Sequence, residues 1–188
     1  MALSEPKKMK QATQDPGNKA ANSGAAQGGG SAEKAKSKKP NYKEIEAMDD
    51  ASLFHLAWEA AQDIFETKMD DKTAKWKWNY SVIEIHVSKR RQELLKGKRP
   101  GTTPETRYHL DTLHGVFFTL NVTLKIKAFL AENPERDDKN KKRFKAMFRN
   151  TQRAAQTLGH VKPRSEHEKV VKGLIRQCEE YQFDLNDA

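Results

Sequence analysis

The sequence predicts a mainly α fold: a compact helical domain of about five helices behind a disordered basic N-terminal arm. Three observations predict it. Aromatic and aliphatic residues lie almost wholly after position 41, apolar residues there recur at spacings of three and four, and Pro, Gly and cap-type residues break the pattern at helix-sized intervals. The 188 residues therefore divide into an arm, 1–41, and a single helical domain, 42–188, long enough to bury a core.

In the arm, Gly28, Gly29 and Gly30 stand among many Ala, Ser, Asn and Gln, and the only large apolar side chains are Leu3, Met1 and Met9. Such a composition cannot offset the conformational entropy that folding removes. Eight lysines face three acids, and Lys34, Lys36, Lys38 and Lys39 cluster at its end. A flexible chain of this charge suits a polyanion, with Lys36, Lys38 and Lys39 as candidate contacts.

The domain opens with acidic residues Glu44, Glu46, Asp49 and Asp50, a composition that favours a helix start. From Ser52 to about Phe65, apolar residues leave little polar surface, which predicts a buried central helix with Trp58 in its core. Trp76 to Lys96 carries Tyr80, Ile83, Val87 and Leu94 at helical spacing, although 80–87 is also rich in strand formers. The Gly- and Pro-bearing loop 96–101 follows, and it lacks the spacing of a phosphate-binding P-loop. Pro104 then restarts a helix that runs to Leu130. Within it, 118–126 alternates apolar and polar residues strictly, so short β pairing within 80–87 and 118–126 is the competing reading. Asn133-Pro134 ends that element, a helix from about Asp138 to Leu158 follows, and Gly159 stops it. Ser165 with Glu168 three residues later opens the last helix, whose Val170, Val171, Leu174, Ile175, Cys178 and Tyr181 face inward.

The stretch from Lys139 to Arg164 holds nine Lys and Arg and no acid. Wound as a helix, it sets Phe144, Met147, Phe148, Ala155 and Leu158 on one side and Lys142, Lys145, Arg149, Gln152, Arg153 and Gln156 on the other, with Lys141 at the edge. Solvated faces normally mix both signs, since like charges four residues apart repel. A one-sided stripe is the pattern that meets phosphates. Lys142, Lys145, Arg149 and Arg153 are the leading candidates, Lys141 and Arg143 flank them, and Arg90 and Arg91 add charge from Lys89-Arg90-Arg91. Trp76 or Trp78 offers a ring for stacking on unpaired bases, with core packing the expectation for at least one.

Lys and Arg exceed Asp and Glu by nine over the whole chain, with a pI near 9.5, which points to nucleic acid or an anionic membrane as partner. Cys178 stands alone, so an internal disulfide and a cysteine-built zinc site are excluded and a reducing compartment fits. No stretch of about 18 apolar residues and no apolar signal region is seen, which leads to the expectation of an intracellular, cytoplasmic protein that is not secreted. Six histidines show no metal-ligand spacing, and Tyr108, His109, Asp111 and His114 accompany no nucleophile motif, so they are assigned to surface or capping roles. Neither a cofactor nor an enzymatic activity is expected.

A Gly/Lys arm before a helical domain with an arginine-bearing helix resembles viral coat and nucleocapsid proteins in overall layout. The resemblance implies a sequence-nonspecific RNA-binding structural protein that coats or packages nucleic acid, self-associates into a larger assembly and resides in a virion. A peripheral membrane or matrix-like protein on anionic lipid, and a chromatin- or ribosome-associated regulator, are the alternatives.

Overall fold

The computed structural model describes residues 40–134 and 139–186. Among them the chain forms seven α-helices and no β-strand: α1 (Tyr42–Ala47), α2 (Asp50–Glu66), α3 (Asp71–Trp78), α4 (Tyr80–Leu95), α5 (Pro104–Glu132), α6 (Lys141–Gly159) and α7 (Ser165–Asn186). Local capping explains most of the starts. Asn41 and Glu44 form a reciprocal capping box on α1. Asp49 and Asp70 each accept a main-chain N–H at 2.7 Å to open α2 and α3, and Thr103 does so at 3.1 Å for α5, with Pro104 in the first turn.

The fold is mainly α, as the periodicity predicts, with two more helices than expected. One is the single-turn α1. The other arises because the expected helix over 76–96 divides at Asn79, whose φ of 53° and ψ of 38° are left-handed. Asn is among the few residues that adopt this conformation at modest cost, so the chain turns there and restarts as α4. The strand reading of 80–87 and 118–126 is corrected to helix in both places. In α5 the alternation misleads because Thr119 and Thr123 are buried along with the apolar residues. Their hydroxyls donate back to main-chain carbonyls of their own helix, at 2.8 Å to Gly115 and 3.1 Å to Leu120, which removes the cost of burying them.

The central position also differs from expectation. It belongs to α5, which packs against α2, α3, α4, α6 and α7, whereas α2 leaves Ala51, His55, Glu59 and Gln62 exposed. By length and mean hydropathy α5 passes for a membrane-crossing helix, and 56% of its most apolar window is buried against other helices. The main core gathers Leu53, Ile64, Tyr80, Ile83, Leu110, Leu113, Phe117, Leu158 and Leu174, each contributing about 1.5–3 kcal/mol by burial. A second, smaller cluster joins Ile126 and Phe129 of α5, Phe144 of α6 and Leu185 of α7. Cys178 on α7 is fully buried. α6 therefore straddles two cores, its C-terminal half resting on the first through Leu158 and its N-terminal half on the second through Phe144.

Candidate nucleic-acid interface

α6 presents the charged face that its sequence predicts. Phe144, Thr151, Ala154 and Leu158 are buried, Met147, Phe148 and Ala155 are half-buried, and Lys141, Lys142, Lys145, Arg149, Gln152, Arg153 and Gln156 are exposed. Phe144 meets Phe129 edge to face at 4.9 Å between ring centres, which fixes the helix in rotation. Arg143 falls beside the stripe, with its guanidinium 4.9 Å over the Phe129 ring, where a cation–π contact holds it against α5. Among the described residues, no acidic side chain forms an ion pair with Lys141, Lys142, Lys145, Arg149 or Arg153. Elsewhere several described surface cations are paired, as Lys75 with Asp71, Lys77 with Asp63 and Lys89 with Glu46 show. Among the described residues, the cations of that face therefore have no acidic counterpart.

Arg90 and Arg91 do not join that face. Arg90 binds Asp50 at 2.8 Å and the Met48 carbonyl, with its side chain only 12% exposed, and Arg99 from the loop before α5 binds the same carboxylate at 2.8 Å. Arg91 binds Asp111 at 2.7 Å. Both hold helices together, and a phosphate would have to displace a carboxylate to reach either. Lys36, Lys38 and Lys39 lie outside the described residues. The two tryptophans separate: Trp78 is half-buried and donates to Asp63, while Trp76 is 76% exposed and keeps a free ring face for stacking.

Two hollows adjoin α6. On one flank a groove of about 310 Å³ has Phe144, Phe148 and Leu185 in its lining and Lys141, Lys145 and Arg149 around it. Past the C-terminal end, a cavity of about 530 Å³ is lined by Arg107, His160 and Lys162 as well as the paired Arg91 and Asp111. This second hollow brings Arg107 of α5 and Lys162 of the segment after α6 together. It has no local signature in the sequence, because Arg107 is far from α6 along the chain.

Comparison with protein-family models, curated proteins and solved structures finds no match to this chain. The site therefore stands on its geometry.

The residues assigned to surface or capping roles are instead links between helices. Trp58 stacks on His167 with ring centres 3.6 Å apart and planes 2° from parallel. Its indole N–H donates to His109 Nδ1 at 3.2 Å, and Nε2 of that ring meets Glu105 at 2.9 Å. The Tyr108 hydroxyl lies 3.0 Å from His167 Nδ1 and accepts the Arg164 main-chain N–H at 2.9 Å. Arg164 grips Glu105 with both terminal nitrogens and holds the pKa of that carboxyl down to about 2. His114 meets Ser88 at 3.1 Å. These interactions join α2, α4, α5 and the start of α7, and sequence reasoning missed them because the partners are distant in the chain. Among the described residues no group of three His, Cys, Asp or Glu is placed to hold a metal ion.

Proposed function

We propose that this protein is a sequence-nonspecific RNA-binding structural protein that coats or packages the strand, with α6 as its ordered phosphate-binding face. The observation that carries the reading is the stripe of Lys142, Lys145, Arg149 and Arg153, exposed on one helix face with no acidic partner among the described residues. Uncompensated like charges four residues apart destabilise a helix slightly, and a phosphate backbone that releases counterions turns the same charges to advantage. Most of the apolar side of α6 is taken up by the two cores, with Met147 and Phe148 only half-buried, so the helix has little apolar surface left to lay into a bilayer. That weighs for a polyanionic strand over an anionic lipid surface. Phosphate contacts carry no base information, which makes the binding indifferent to sequence.

Changing Lys142, Lys145, Arg149 and Arg153 together to Gln keeps side-chain length and helix propensity. The variant is expected to unfold at nearly the same denaturant concentration, while its log–log salt slope for single-stranded RNA falls by about 0.7 for each phosphate no longer neutralised. Affinity should drop alike for unrelated RNA sequences. A salt slope unchanged from the parent overturns the reading. Flotation with anionic liposomes, in the absence of RNA binding, would assign the face to a membrane instead.

A further inference from the structure

The groove beside the stripe adds something that phosphate contacts alone do not supply. Its lining is apolar where α6 meets the C-terminal end of α7: Phe144 and Leu185 are buried, and Phe148 is half-buried, so part of its ring remains open to the groove. Lys141, Lys145 and Arg149 bound it at four-residue intervals, about 6 Å apart along a helix axis. Gln152 completes the lining, exposed and with no hydrogen bond from its side-chain amide among the described residues. At about 310 Å³ the space lies at the small end of ligand-binding pockets.

We propose that this groove receives an unpaired base of the bound strand, so that the α6 interface prefers single-stranded to duplex nucleic acid. The inference rests on the RNA-binding reading above and deepens it. Apolar lining, a partly open aromatic ring and three cations on one edge suit an occupant that is flat and apolar on one side and anionic on the other. A nucleotide in an unpaired strand has that character, with its base against Phe148 and its phosphates toward Lys141, Lys145 and Arg149. A paired base cannot enter, because its face is covered by its neighbours in the stack. Stacking on a ring tolerates every base, and the one amide of Gln152 can donate to or accept from any base edge. The slot therefore selects strandedness without selecting sequence.

The full chain is titrated with three probes matched in phosphate number: a short oligouridylate, the same strand with abasic riboses, and an RNA duplex. The oligouridylate is expected to bind about tenfold more tightly than the abasic strand, since one base stacked on an aromatic side chain is typically worth about fivefold to a hundredfold. Both strands should show the same salt slope. Phe148→Leu keeps the apolar packing and removes the ring, and it should bring the oligouridylate down toward the abasic strand while leaving the abasic affinity unchanged. Equal affinity of the parent chain for oligouridylate and abasic strand overturns the slot and leaves the phosphate-binding reading intact, and this comparison needs no variant to fold. A preference for the duplex overturns it too. If none of the three probes binds in a salt-dependent way, the RNA reading itself fails and the slot with it.

Discussion

Gly173 marks the point where α7 passes the ring of Phe65, and a Cβ built there would lie 2.1 Å from Cζ and under 3 Å from both Cε atoms. No side chain fits unless the ring leaves its seat. Gly173→Ala should therefore cost about 1–3 kcal/mol, the usual penalty of overpacking, despite the gain in helix propensity. Phe65→Leu in the same chain should recover part of the loss, so a double-mutant cycle by denaturant unfolding will show strong coupling; additive losses would contradict the close approach. Burial pushes His86, His114 and His167 below their ordinary value of 6.5, so over the interval from each depressed value up to 6.5 the unfolded chain binds more protons than the folded one. Stability is then full above 6.5 and falls as the solution is acidified through that interval. The denaturant midpoint should drop on going from neutral pH to mildly acid pH, and His167→Gln should flatten the drop.

At the scale of elements, the division between α3 and α4 depends on one residue. Asn79 both closes α3 and precedes α4 in a left-handed conformation, with its side-chain amide donating to the Pro40 carbonyl at 3.3 Å. Asn79→Ala should cost about 1 kcal/mol or more for that backbone geometry, whereas Asn79→Gly should cost less, since it removes only the amide hydrogen bond; thermal unfolding of the pair measures the difference. α6 is the element most legible in the sequence, because a helix with one apolar and one basic side announces both faces through a single 3.6-residue period. Arg90 and Arg91 were illegible for the opposite reason. Their role is set by Asp50, which lies 40 residues away, and Asp111, which lies 20 away, and no local pattern reports such pairings. The alternation in 118–126 misled because period-two patterning presumes that polar residues face solvent, which Thr119 and Thr123 do not.

For the whole molecule, the reading as a coat makes assembly the decisive property. Copies lined along one strand gain avidity from their neighbours, so light scattering should report particles whose size follows RNA length, and a monomer at every concentration with long RNA present would leave a binder that does not coat. Among the described residues, the second core of Phe144, Phe129, Ile126 and Leu185 holds the N-terminal half of α6, and with it Lys141, Lys142 and Lys145, rigidly in place.

Cys178 offers a way to follow that rigidity. It is the only thiol in the chain, it is fully buried on α7, which packs along α6, and burial raises its pKa to about 12. Reaction with an alkylating reagent needs thiolate and access together, so in the native protein both must wait for α7 to lift away. The rate of modification is then a clock for that opening. A strand bound along α6 that steadies the α6–α7 pair should slow the clock, and the delay can be read by mass alone, with no label on the nucleic acid and no change to the sequence.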